Sequence, residues 1–183
     1  MQPLPRASRS PTPSSKRPEP DRGFPPVAGP DARVLILGSL PGQASLAAGR
    51  YYAHPHNAFW PILGAFLGLA ADAAYEERTA ALVAAKIALW DVCAAARRPG
   101  SLDSAIARAS VRPNDFAAFF RAHREIARIG FNGSAAYDLY KRQGLPADGR
   151  QLVRLPSTSP AHAAMSPAEK HAIWLNFLTD SLD

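Results

Sequence analysis

From residue 33 onward the chain alternates short apolar runs with longer stretches of helical period. The runs 33–38 (RVLILG), 86–92 (KIALWDV), 125–131 (EIARIGF) and 151–155 (QLVRL) have strand length and composition. Helices are expected over 58–68, 73–85, 114–123, 134–143 and 167–181. Strands alternating with helices in this way predict an α/β fold, a parallel sheet with helices on both faces. The last helix carries a start signal: Ser166-Pro167-Ala168-Glu169 combines a capping box with proline at the first helical position. Ile173, Trp174, Phe177 and Leu178 then form one apolar stripe, read as a core face, and Gly144 closes the fourth helix as a C-cap.

Residues 1–32 lack this patterning. Nine prolines fall in the first thirty positions, with Arg6, Arg9, Lys16, Arg17 and Arg22 among them. The segment is expected to be a disordered, basic Pro/Ser/Arg tail ahead of one globular domain at 33–183. It is either a solvated extension or a weak, salt-sensitive hold on phosphates. The formal net charge of +6 and the pI near 9.9 favour polyanionic partners such as nucleic acid. One cysteine, Cys93, excludes a disulfide within the chain and a cysteine-based zinc site, and its apolar neighbours make it a buried hydrophobe. No apolar run reaches the roughly 18 residues of a membrane span, and no secretory h-region is seen. These features together predict a cytoplasmic monomer.

Three loops follow strand ends: 38–57, 131–134 and 155–165. In an open α/β sheet they converge on one edge, where ligands bind. Asn57, Asn132, Ser157, Thr158, Ser159 and His162 should therefore be neighbours. The first loop opens with GSLPG, which is neither a dinucleotide fingerprint, a Walker loop nor a hydrolase elbow. It continues through Tyr51-Tyr52-Ala53-His54-Pro55-His56-Asn57, a mixture suited to stacking on and hydrogen bonding a flat polar heterocycle. His54 and His56 have a metal-like spacing, but no acid or cysteine lies close in sequence, and no metal is expected. Asn57 precedes Ala58-Phe59-Trp60-Pro61 and can be a helix cap, a site residue or both. Asn132 can offer a carbonyl and an amide to a base edge. The run Pro156–Pro160 is either a Ser/Thr-rich loop or a clamp on phosphates.

The ordered set GS-x-PG, YYAHP-x-NAFW, ALWDV, GSLDS, FNG and LPSTSPA resembles the uracil-DNA glycosylase superfamily, and within it the hypoxanthine-DNA glycosylase branch, over about residues 33–180. The resemblance implies a three-layer αβα fold with a four-stranded parallel central sheet. It implies hydrolysis of the N-glycosidic bond of a deaminated base, hypoxanthine or uracil, flipped out of DNA, with no metal or organic cofactor. By the same resemblance, Gly38, Ser39, Pro41 and Gly42 shape the base pocket, with Ser39 at the base. Tyr52 stacks on the base, Asn132 reads its edge, and Asn57 orients water or base in catalysis. Ser157, Thr158, Ser159 and His162 meet DNA, with Ala161, His162 and Met165 as wedge candidates. Two positions depart from relatives: Leu40 stands where many carry Asp or Asn, and Leu155 where some carry a histidine. Turnover below that of the most active uracil enzymes is therefore expected. The alternatives are a mismatch-specific uracil glycosylase and a lesion-binding module without catalysis. A soluble nucleotide hydrolase is disfavoured because Asp91 is the only acid found at a strand end.

Overall fold

The apolar run after Arg33 forms the centre of the molecule. In the computed structural model, which describes residues 19–162 and 164–182, Val34, Leu35, Ile36, Leu37 and Gly38 are all buried. In chain order the elements are β1 (Asp21–Arg22), β2 (Val34–Gly38), α1 (Gln43–Ala48), α2 (Phe59–Leu67), α3 (Tyr75–Ala84), β3 (Ile87–Asp91), β4 (Cys93–Ala96), β5 (Arg112–Pro113), α4 (Phe116–Ala122), β6 (Arg128–Asn132), α5 (Ser134–Arg142), β7 (Gln151–Leu155) and α6 (Pro167–Leu182). Among the described residues, the main sheet has four parallel strands in the order β3-β2-β6-β7. The fold is the expected three-layer sandwich.

Alternation along β2 decides which side each residue feeds. Leu35 and Leu37 pack with Phe116, Phe119 and Phe120 of α4 and with Leu139 and Tyr140 of α5. Val34 and Ile36 pack on the opposite side with Phe59, Ile62 and Leu63 of α2, Leu82 of α3, and Trp174, Phe177 and Leu178 of α6. A strand buried on both faces reads as a continuous apolar run, which is why β2 and β3 are so legible.

Chain order explains where a ligand can enter. The path runs from β2 outward to β3, then crosses to the other flank of β2 to lay down β6 and β7. That reversal opens a crevice beyond the carboxyl ends of the strands. Gly38, Asp91, Asn132 and Leu155 end the four strands, and the register sets Gly38 beside Asp91 and Asn132 beside Leu155.

Three expectations need correction. The expected tail over 1–32 is too long, because residues from Asp21 onward are part of the domain; residues 1–18 lie outside the described residues. Asp21–Arg22 pair antiparallel with β4, and Val27 exchanges two backbone hydrogen bonds with Leu89 along the outer edge of β3. Phe24 sets its ring edge-on to Tyr51 at 5.2 Å. The prolines stop helix formation here but not extended pairing, and the segment covers an open sheet edge. The second correction is a small antiparallel sheet, β1-β4-β5, together with helix α1, none of which the apolar pattern announced. The alanines of β4 carry little strand signal. Third, Ile173 is 39% exposed, because it sits about 100° around α6 from the buried Trp174. The α6 capping box forms as expected, with Ser166 N donating to Glu169 Oε2 at 2.9 Å and Glu169 N to Ser166 Oγ at 3.3 Å. Gly144 adopts φ +60° just past α5.

Gly130 in the middle of β6 fixes how closely α6 can approach. A Cβ there would lie 2.6 Å from Phe177 Cζ and 2.9 Å from Leu155 Cδ1. Gly130→Ala should therefore cost about 1–3 kcal/mol through overpacking. A lowered urea midpoint at unchanged m-value is the expected outcome.

Candidate active site

The ends of β2, β3 and β6 and the loops that follow them enclose a cavity of about 230 Å³. That is smaller than the ~300–1,000 Å³ of sites for drug-sized ligands and suits a single flat ring system. Gly38, Ser39, Leu40, Pro41 and Gly42 line one wall. Tyr52, Asn57, Asp91, Asn132, Ser157, Thr158 and Ser159 complete most of the rest. A wider groove of about 850 Å³ lies across Tyr52, His54 and Asn57, against α2 and the 69–75 segment. It gathers no strand-end residue, so the chemistry belongs to the smaller cavity.

Gly38 is the reason the floor exists. A Cβ at this position would collide with Asp91 Oδ1 and sit 3.0 Å from the Tyr52 hydroxyl. Without a side chain there, these two polar groups converge over the end of β2. Asp91 is 3% exposed, and neither its Oδ2 nor the Tyr52 hydroxyl has a hydrogen-bond partner among the described residues. Burial first, and the Asp103 charge second, push the Asp91 carboxyl up to about 7, against the pull of Arg98. Burial likewise pushes the Tyr52 hydroxyl far above its usual range, so it stays a protonated donor. Arg98 Nε is a third such atom at this cavity, and unpaired buried polar atoms are rare enough in folded proteins that three together mark a place where a ligand or water completes the bonding.

Tyr52 holds its position at some backbone cost. It has φ +53°, uncommon for a residue with a side chain, and its ring stacks on Phe59 at 3.9 Å between centroids. Phe59 therefore takes one ring face, and Tyr52 borders the cavity with what remains. Tyr51 is core instead: it is 3% exposed, and its hydroxyl donates to Pro25 O at 3.1 Å.

Asn57 lies one residue ahead of Ala58, the N-cap of α2, and lines the cavity. Its Oδ1 accepts from Phe59 N at 3.0 Å, and its own N–H donates to His54 O at 2.9 Å. The side-chain oxygen is thus held by the helix, and the amide Nδ2 is the end left for a ligand. Asn57 offers donors rather than an acceptor.

Asn132 does less base reading than the sequence suggests. Its Oδ1 accepts from Thr158 N at 2.8 Å and its Nδ2 donates to Thr158 Oγ1 at 2.8 Å. This two-point clasp ties the end of β6 to the 155–160 loop, and Thr158 O in turn accepts from Ala58 N at 3.0 Å. The expected convergence of the three loops is thus built from hydrogen bonds, and the Asn132 side chain lies close enough to the Tyr52 hydroxyl to work against the burial that raises it. Ser39 is similarly committed, its hydroxyl donating to Asp103 Oδ1 at 2.5 Å. His162 is not in the cavity. It borders an adjoining groove beside Gly133–Ala135, and its carbonyl accepts from Lys170 Nζ at the start of α6. Its expected place beside Asn57 is corrected accordingly, because the chain turns away at Ser159–Ala161.

Asp91, Arg98 and Asp103 were not among the expected site residues. Arg98 has a side chain only 1% exposed, donating to Leu40 O at 3.2 Å and to Pro41 O, with Asp103 Oδ1 at 3.5 Å. Burial first raises the Asp103 carboxyl, while Ser39 and Arg98 pull it back. A signal for Asp91 was present, since an acid ends the otherwise apolar strand IALWD. Nothing local distinguishes Arg98 from its neighbour Arg97. Cys93 is buried as expected, its thiol pushed up to about 12 by burial and so unreactive.

The chain matches the model of the uracil DNA glycosylase superfamily over residues 25–178. It is 37% identical over 146 residues to a hypoxanthine DNA glycosylase of Methanosarcina acetivorans, covering 79% of this chain and 90% of that protein. It is 39% identical over 113 residues to a hypoxanthine DNA glycosylase of Methanosarcina barkeri, covering 61% of this chain and 70% of that protein. The solution structure of a candidate uracil DNA glycosylase from Methanosarcina acetivorans superposes with a TM-score of 0.68 at 34% identity, over 87% of this chain and 99% of the other. A family match that begins at residue 25 agrees with the packed segment ahead of β2. With fold, strand-end cavity and sequence in agreement, the chain belongs to the uracil DNA glycosylase superfamily.

Proposed function

We propose that this protein is a monofunctional DNA glycosylase that removes a deaminated base, hypoxanthine first and uracil second, from DNA. The base is flipped into the cavity, its N-glycosidic bond breaks with the electron pair leaving on the base, and water adds to C1′. One proton from that water stays on the new C1′ hydroxyl and the other ends on the departing base anion, so that the free base is neutral. The products are free base and an abasic site. The protein works as a monomer on DNA within the cell. Among the described residues no helix is long and apolar enough to cross a membrane.

The observation that carries this reading is the unpartnered, buried carboxylate of Asp91 on the cavity floor. Deamination converts a ring nitrogen that bears a lone pair into one that bears a proton. Adenine N1 accepts a hydrogen bond, whereas hypoxanthine N1 and uracil N3 donate one. When ionised, Asp91 is an acceptor on the floor that welcomes the deaminated base and repels the parent base. The Tyr52 hydroxyl and the Asn57 amide supply donors for oxygens and ring nitrogens of the same base, where negative charge develops as the bond breaks.

Two experiments follow. Asn57→Asp keeps a capping oxygen for Phe59 N but removes the amide donors. Single-turnover excision of hypoxanthine from duplex DNA should fall roughly a hundred- to a thousandfold, the usual loss for one transition-state donor, while thermal stability stays near wild type. Full activity in this variant would reduce Asn57 to a cap. The second concerns pH. Because the Asp91 carboxyl titrates near 7, its ionised fraction grows as pH rises through that value. Excision should climb with pH and level off above it, and Asp91→Asn should flatten this limb and lower the plateau. An unchanged limb in Asp91→Asn would assign the titration to another group.

A further inference from the structure

We infer that Leu102 is the side chain that enters the duplex to fill the space left by the flipped base, a role the 155–165 loop was expected to play. The inference rests on the glycosylase reading above. A flipped base leaves a gap in the stack, and proteins that unstack DNA insert apolar side chains such as Leu, Ile, Met or Phe. The loop after β7 offers little of that kind among its described residues. Ala161 is exposed but small, Met165 is half-buried, and His162 carries a polar imidazole rather than an apolar side chain.

Leu102 answers the requirement from the opposite rim. It is 57% exposed, the most exposed large hydrophobic side chain among the described residues, and it borders both the base cavity and the adjoining groove. Single exposed leucines are common and carry no argument alone. What singles out this one is its bracing. Ser101 Oγ accepts from Gln43 N at 3.0 Å, and Asp103 Oδ1 accepts from Ser39 Oγ at 2.5 Å with Arg98 Nη1 at 3.5 Å. Leu102 lies between them in extended conformation, φ −77° and ψ 129°. Asp103 opens a short helical turn directly after it. With Ser101 and Asp103 both tied to the loop after β2, Leu102 stands exposed at the cavity mouth between two anchored neighbours. A rigid apolar tip loses little entropy on insertion, which a loose one would not match.

The test compares wild type, Leu102→Ala and Leu102→Met on two substrates, hypoxanthine in a stacked duplex and hypoxanthine in a mismatched bubble. The ratio of duplex to bubble excision should fall about tenfold or more in Leu102→Ala, since unstacking is what the bubble spares. It should return with Leu102→Met, which restores an apolar side chain of similar length. A second readout needs no chemistry: 2-aminopurine beside the lesion should brighten when wild type binds and stay dim with Leu102→Ala. A ratio unchanged by Leu102→Ala, or brightening that persists in it, overturns the wedge. Brightening by a wild type that excises nothing supports the wedge while overturning the glycosylase reading on which it was built.

Discussion

The Arg98 guanidinium is the contact on which the site depends. It is almost completely buried, donates to the carbonyls of Leu40 and Pro41, and lies 3.5 Å from Asp103 and 4.0 Å from Asp21. One side chain thereby joins the turn after β2, the Ser101–Asp103 loop and the N-terminal segment. A buried cation is costly unless its charge and donors are met, and removing one partner from such a group commonly costs about 3–5 kcal/mol. Arginine suits the task because its planar fork reaches several acceptors at once and stays charged. The loop after β2 is also held by Ser39 on Asp103 and by Gln43 on Ser101 and Asp21, and the guanidinium adds the contacts to its Leu40 and Pro41 carbonyls.

The same cluster shapes the electrostatics of the cavity. Asp103 is drawn to Arg98 and Ser39, whereas Asp91 lies deeper and lacks a partner for Oδ2. Two carboxylates near one cation do not share it equally. The one at the rim is satisfied and partly solvated, with 38% of its side chain accessible. The buried one is left raised and unpaired. Folded proteins rarely keep such a group without use, because a satisfied or apolar residue would be more stable. Its retention next to Gly38, where any side chain would displace it, fits a floor kept open for a ligand.

Much of the fold could be read from periodicity because the central strands are buried on both faces. β2, β3 and β6 appear as apolar or mixed runs within a few residues of their observed limits, the half-exposed edge strand β7 is found at its expected limits, and all five expected helices form. The αβα class and the convergence of three loops followed from that order. What was hidden lies where tertiary contacts replace local signals. Phe24 and Val27 look like part of a proline-rich tail until the edge of β3 is there to receive them. Asn132 looks like a free reader of bases until Thr158 is placed opposite it. The Ser101–Asp103 loop shows a motif in sequence, but its purpose appears only when Ser39, Gln43 and Arg98 close around it. Asp91 was visible as a strand-end acid, and its meaning changed once Gly38 was found at its side.

Leu40 follows the end of β2 and Leu155 ends β7, and both are buried apolar side chains. Leu40 is 5% exposed and contributes its carbonyl to Arg98, so this position shapes the wall through backbone while its side chain keeps the wall apolar. Leu155 is 2% exposed and packs into the cluster around Phe59, Trp174 and Phe177. Both leucines lower the local polarity around the few groups that remain, Asp91, Tyr52 and Asn57. In such surroundings a hydrogen bond or charge interacts more strongly than it would near water, and an unmet one costs more. On the proposed reading, a base that donates to Asp91 gains what a base presenting a lone pair there forfeits, and the apolar surroundings widen that difference.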